Sequence, residues 1–234
     1  MNTRSILPQN RFFKLPFVFD TSRLLTDLAT CSAIDWPVHY NQRDFSGRWS
    51  SIALRSLSGK ETDVRALPGL FADTDLLGQC PYFQNILEQF RCEKEAVRLL
   101  ALAPGARIHE HRDVETSYEY GFFRIHVPIQ TGDQVTFRVD GETLPMLAGE
   151  CWYANFDLLH SVQNDGPTDR VHLVIDCRRN TWSDDLFAQA GYDFSAEKQK
   201  QVIPPDVRRR MIAELTLQDT DVARKLIAEL EKEA

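Results

Sequence analysis

This chain predicts a mainly β fold, a sandwich or barrel of jelly-roll type with helices before and after it. Three observations carry that expectation. Between Arg98 and Asp176 short apolar segments follow one another closely, joined by Gly-containing turns, a spacing that belongs to antiparallel all-β architectures. Ahead of them, helix signals stand at residues 20–31 and 81–90. After Asn180 the apolar period becomes helical.

Taken in order, Arg11–Phe19 (RFFKLPFVF) reads as an aromatic strand, with Pro16 near a sheet edge because proline cannot donate to a ladder. Asp20 is an N-cap residue for TSRLLTDLATC, a helix with Leu24, Leu25 and Leu28 as its apolar residues. A loop with Trp36 and His39 leads to the strand Arg48–Leu57. There Trp49, Ser51 and Ala53 share one face and Ser50, Ile52 and Leu54 the other. Pro81–Phe90 is a short helix with Phe83, Ile86, Leu87 and Phe90 on one side. Arg98–Leu102 runs as an apolar strand into the Pro104–Gly105 turn. Four strands follow, Ile108–Asp113, Phe122–Ile129, Val135–Val139 and Val171–Asp176, with two shorter ones around Thr143–Leu147 and Cys151–Ala154.

The division is placed at residue 180, giving a β core over 1–180 and a helical appendage over 181–234. In the appendage, Pro204–Pro205 opens a helix with Val207, Met211, Ile212 and Leu215 at helical spacing. Asp219 or Thr220 caps a second, with Val222, Leu226, Ile227 and Leu230 on one face. Such a hairpin must cover its apolar faces with each other, with the core or with another subunit, and a homodimer through these helices is the oligomer it suggests.

Composition narrows the functional classes. The net charge of −7 comes without a basic stripe, which argues against nucleic acid as a partner. Charge interrupts every apolar run well short of the ~20 residues that span a bilayer, so no membrane partner is expected. MNTRSILPQNRFFKLPF has neither an apolar h-region nor a small-residue cleavage site. Cys31, Cys80, Cys92, Cys151 and Cys177 are odd in number and widely spaced, and no CxxC occurs. They read as reduced, mostly buried thiols of a cytoplasmic protein, and a cysteine-built zinc site is disfavoured.

Five of the six histidines fall within Pro104–Asp176. On a strand, His111 and Asp113 project together while Ile108, Glu110 and Arg112 face away. His160 would complete a metal set from across the barrel. Two nitrogens and a carboxylate with other positions open suit non-haem Fe(II) and dioxygen chemistry. His109 has the same parity, so spacing alone leaves a His109/His111 pair open, but the expectation for His109 is a place at the mouth of the site or in solvent. Arg170 shares a face with His172, and a guanidinium turned into an apolar barrel needs a partner. A dicarboxylic co-substrate would supply one; the alternative is an internal pair with Asp169 or Glu150. Arg124 and His126 share a second inward face, and Trp49 stands on a strand that could line the same pocket.

PGARIHEHRD, FRIHVPI, GECWYANFDLLHSVQN and DRVHLVIDC, in that order, resemble the aspartyl/asparaginyl β-hydroxylase family of Fe(II)/2-oxoglutarate dioxygenases, to which bacterial proline hydroxylases are also similar. The resemblance is strongest over Val97–Cys177 and extends more weakly to KLPFVFDTSRLLTDL and GRWSSIALRS. It implies a double-stranded β-helix, cupin-like, with iron held by His111, Asp113 and His160. It also implies Arg170 on the C5 carboxylate of 2-oxoglutarate, His126 near the co-substrate's other end, and Arg124 facing the substrate. The implied reaction uses O2, releases succinate and CO2, and hydroxylates a C–H of an amino acid or an aminoacyl or peptidyl side chain. Two departures stand out: Glu110 occupies a position where some members have proline, and Leu100 one where some have a serine for the co-substrate. The competing readings are a cupin-like metal enzyme that does not use 2-oxoglutarate, and a non-catalytic binding module on the same fold.

Overall fold

The computed structural model describes residues 8–39, 43–65, 67, 69–197, 205–218 and 220–232. These residues form twelve strands in two antiparallel sheets. The strands are β1 (Phe12–Val18), β2 (Phe45–Ser46), β3 (Trp49–Ser56), β4 (Ala72–Asp73), β5 (Lys94–Leu102) and β6 (Arg107–His111), then β7 (Phe122–Gln130), β8 (Val135–Val139), β9 (Glu142–Thr143), β10 (Glu150–Ala154), β11 (His160–Asn164) and β12 (Arg170–Arg178). The larger sheet runs β1-β10-β7-β12-β5-β3-β4 and the smaller β2-β6-β11-β8-β9. This is the expected jelly-roll architecture, a double-stranded β-helix, and Pro16 does sit on an edge strand.

The central strands of the larger sheet, β7, β12, β5 and β3, are buried on both sides. Its outer row (Val97, Leu99, Ile125, Val127, Leu173, Ile175) packs into an apolar core with α1 (Thr21–Cys31), α2 (Asp75–Gly78), α3 (Pro81–Gln89) and α4 (Thr181–Gln189). Asp20 caps α1 as expected, accepting from the Ser22 and Arg23 amides. Leu24 and Leu28 are buried, but Leu25 is exposed. No side chain from Cys80 caps α3. Instead Asp27, buried on α1, accepts from the Tyr82 and Phe83 amides at 2.8 Å each, so one helix satisfies the orphan donors of the next. The inner row of the larger sheet faces the smaller one across a second apolar cluster that includes Leu100, Phe137, Phe156 and Val174. The candidate site lies between these two sheets.

Several elements differ from the sequence expectation. β11 was not expected, and the segment around Thr143–Leu147 pairs only at Glu142–Thr143. α4 was also not expected; an Asn180/Ser183 capping box starts it. All five cysteines are buried and free. Among the described residues no helix is long and apolar enough to cross a membrane.

The chain divides into two compact units, Met1–Phe194 and Ser195–Ala234, with α4 in the first. The second consists of α5 (Pro205–Gln218) and α6 (Asp221–Lys232), which pack on each other. Thr220 caps α6 by accepting from the Ala223 amide; Pro204 and Asp219 lie outside the described residues. In α6, Ala223 and Leu230 are buried while Val222 and Leu226 remain exposed, so the buried stripe is displaced from the expected one.

Candidate active site

His111, Asp113 and His160 come together, with one potential ligand atom from each lying within 4.8 Å of the others. The path to that cluster differs from the expected one in two ways. His160 does not reach in from across the barrel: it stands on the adjacent strand, paired in register with His111, and the ring centroids are 4.2 Å apart. The strand parity also breaks. His160 pairs with His111 but Val162 pairs with Ile108, so β6 spends three steps where β11 spends two. That is a β-bulge, a device that re-aims side chains beside sites. It turns Ile108 and His111 to the same pocket and leaves His109 exposed, removing His109 from the candidate set.

Asp113 lies two residues beyond the end of β6. Its amide donates to the Phe156 carbonyl at 2.9 Å, and its carboxylate accepts from Arg124 Nη1 at 2.8 Å. Burial pushes the Asp113 pKa up, but Arg124, His160 and His111 outweigh it and hold the carboxyl below its usual range. Both imidazoles are oriented by their own strands. His111 Nδ1 meets the His109 carbonyl at 2.8 Å and His160 Nδ1 meets the Leu158 carbonyl at 3.0 Å. A carbonyl only accepts, so each Nδ1 carries a proton, and in the neutral ring Nε2 presents a lone pair. Burial drives His160 down to about 4, against the Leu158 carbonyl and Asp113. An uncharged imidazole with a free Nε2 is what a cation requires. The donor set therefore fits a divalent metal with open positions.

The far wall comes from the larger sheet. Arg170, at the start of β12, is 2% exposed, and burial lowers its pKa to about 9. Neither internal partner considered for it pairs with it. Asp169 takes Arg48 at 3.0 Å, and Glu150 takes Lys14 at 2.5 Å and the Trp152 indole at 2.9 Å. Arg170 Nη2 donates instead to His172 Nδ1 at 2.8 Å, and its Nε has no partner among the described residues. His126, on β7, is buried and lines the same pocket. Its Nδ1 lies 3.2 Å from His172 Nδ1 and its Nε2 has no partner among the described residues.

Arg124 reaches across from the larger sheet and is clamped by a second carboxylate. Its Nε and Nη2 donate to Asp176 at 2.6 and 3.2 Å. Asp176 also accepts from Arg98 Nη2 at 2.7 Å, and both members of that pair are almost fully buried. Trp49 lines the pocket with His39 stacked on it at 3.5 Å between centroids, and the indole Nε1 has no partner among the described residues. Sequence reasoning missed Arg98, Asp176 and His39. A signal existed for the first two: Arg98 is a charge inside an apolar strand, and Asp176 has the parity of Arg170 and His172.

A family model described as aspartyl/asparaginyl beta-hydroxylase matches residues 23–180. The chain is 29% identical over 165 residues to an L-proline cis-4-hydroxylase of Rhizobium meliloti (strain 1021), covering 68% of this chain and 57% of that protein. It is 28% identical over 198 residues to an L-proline cis-3-hydroxylase of Streptomyces, covering 82% of this chain and 67% of that one. The chain thus spans between about half and two thirds of these curated relatives. Among solved structures, a prolyl-4-hydroxylase of Pseudomonas putida is similar with a TM-score of 0.48 at 13% identity, over 73% of this chain and 94% of that one.

Proposed function

The chain belongs to the aspartyl/asparaginyl β-hydroxylase family, and on that premise we propose that it is an Fe(II)- and 2-oxoglutarate-dependent dioxygenase. It hydroxylates a C–H of an amino acid or of an aminoacyl or peptidyl side chain. The observation that carries this reading is Arg170: a buried guanidinium with no carboxylate partner among the described residues, facing the same pocket as the His111/Asp113/His160 set. A lone buried cation is costly. A dicarboxylic acid that meets Arg170 at one end and the metal set at the other would offset that cost.

The iron would be held by His111 Nε2, His160 Nε2 and the Asp113 carboxylate. Bound iron and 2-oxoglutarate supply oxidative decarboxylation coupled to insertion of one oxygen atom into a C–H bond. The rest is positioning by this chain. Asp176 grips Arg124 by two nitrogens, so Nη1 keeps a fixed direction. That fixed guanidinium, beside the Asp113 carboxylate, would face an anionic group on the substrate. The pocket surroundings carry three arginines (98, 124 and 170) against two carboxylates (113 and 176); with the two charges of Fe(II) added, that balance would suit a dianionic co-substrate together with an anionic substrate. Phe137 and Phe156 wall the cavity.

The test is succinate formation from 2-oxoglutarate with Fe(II) and ascorbate, followed by a screen of free amino acids and short peptides for a gain of one oxygen mass. No turnover, together with no 2-oxoglutarate-dependent rise in Tm, would overturn the reading. Metal-dependent activity that ignored 2-oxoglutarate would favour the cupin-like alternative instead.

A further inference from the structure

His172 is given no role by the reading above, yet it joins the two groups that the reading assigns to opposite ends of the co-substrate. Guanidinium nitrogens only donate, so the 2.8 Å contact from Arg170 Nη2 makes His172 Nδ1 an acceptor. Burial holds both His172 and His126 uncharged, well below the ordinary histidine pKa. A neutral His172 with a bare Nδ1 carries its proton on Nε2. The 3.2 Å contact between the two Nδ1 atoms is then a hydrogen bond only if His126 Nδ1 is the donor. That leaves His126 Nε2 as a bare lone pair, buried, on the pocket wall and without a partner among the described residues.

This arrangement is frustrated in three places. One lone pair on His172 is shared by two donors, and among the described residues Arg170 Nε donates to nothing and His126 Nε2 accepts from nothing. It also opposes the proposed co-substrate, because a deprotonated 2-oxo acid brings only acceptor oxygens to the His126 end. All three conflicts are relieved together if Arg170 turns its donors to an anion.

We propose that His172 is a positioning residue that couples carboxylate binding at Arg170 to the tautomer of His126. With Arg170 engaged, His172 Nδ1 becomes the donor, His126 Nδ1 the acceptor, and His126 Nε2–H a donor directed into the pocket. The proton count of the pair stays at two. One proton crosses from His126 Nδ1 to His172 Nδ1, while the proton lost from His172 Nε2 is matched by one taken up at His126 Nε2 through pocket water. The site thereby favours ligands with a carboxylate at one end and an acceptor oxygen at the other. A chelator too short to reach Arg170 leaves His126 with its lone pair inward.

The inference rests on the 2-oxoglutarate reading, and the experiment separates the two. Protein labelled with ¹⁵N-histidine and loaded with diamagnetic Zn(II) is studied by long-range ¹H–¹⁵N correlation, which distinguishes protonated from bare imidazole nitrogens. His126 should be Nδ1–H with Zn(II) alone and with oxalate, and Nε2–H with saturating 2-oxoglutarate. Calorimetry on His172→Leu should show 2-oxoglutarate binding weakened about ten-fold, the worth of one hydrogen bond to a polar partner, with oxalate binding unchanged. Absence of 2-oxoglutarate binding to the Zn(II) protein overturns the functional reading and the coupling with it. Binding with His126 unchanged, or a switch produced equally by oxalate, overturns the coupling alone. The NMR arm uses the unmutated chain, so the answer does not depend on how well the variant folds.

Discussion

β12 carries two rows of side chains, both buried, doing opposite jobs. Val171, Leu173, Ile175 and Cys177 enter the apolar core under the helices. Arg170, His172 and Asp176 alternate with them and face the smaller sheet, with Val174 between. The first row stabilises the fold by removing apolar surface from water. The second contributes a charge network whose members are compensated at Asp176 and left open at Arg170 and His126. One strand with period two can thus hold a dry core and a reactive cavity a side chain's length apart, and each row should fail in its own way when altered.

The largest separation is expected at the metal set. His111→Ala should abolish Fe(II)-dependent turnover, by roughly 10³-fold or more, beyond the ~10–100-fold cost of losing a partner behind a ligand. Metal-free Tm should move little, since His111 is only half-buried and such positions cost about 1 kcal/mol or less. Retained iron binding by the variant would remove His111 from the set.

Next is the compensated end of the polar row. Asp176→Asn leaves Arg98 and Arg124 beside a neutral amide, and breaking a buried charge network by removing one partner costs ~3–5 kcal/mol. For a chain of this size that is a fall in Tm of roughly 10 °C. A thermal melt within a degree or two of the parent would mean that the Arg98 and Arg124 charges are balanced elsewhere.

These two sites differ in how legible they were. His111, Asp113, His160 and Arg170 could be picked out because chemistry restricts residue type and the four blocks stand in order. The strand that carries Asp176 was also plain, from its apolar alternation. What linear pattern did not reveal was pairing. Arg98 finds Asp176 across 78 positions. The β6 bulge exists only against β11, so alternation read along β6 alone gave His109 the parity of His111, although His109 is exposed as expected of it, and His160 was placed across the barrel rather than beside His111. β11 is short and half-polar, with Ser161 and Gln163 half-buried between buried neighbours, and its sequence looks like loop until its partners are known.

On the apolar row, Leu173→Ala should cost about 3 kcal/mol through lost burial and an unfilled cavity, because Leu173 is fully buried in the helix-backed core. Its side chain points away from the pocket, so 2-oxoglutarate affinity measured by calorimetry on the folded fraction should be unchanged. A matching loss of affinity would mean that the two faces of β12 are mechanically coupled and that the division between them is too sharp.

The smallest effect should have the opposite sign. Arg170→Met replaces a buried cation, unpaired by carboxylate among the described residues, with an apolar side chain of similar reach. Substituting buried ionic groups by well-packed apolar ones is often neutral or stabilising, so the ligand-free variant should gain ~1–2 kcal/mol, or a few degrees of Tm. Arg170→Met should also lose the Tm increase that 2-oxoglutarate gives the parent. A gain without ligand and a loss with it would identify Arg170 as a residue kept for what it binds and not for what it stabilises. If Arg170→Met instead lowered ligand-free stability by several kcal/mol, the contacts to His172 and the face of Phe137 would be structural supports, and the polar row of β12 would be doing the same job as the apolar one.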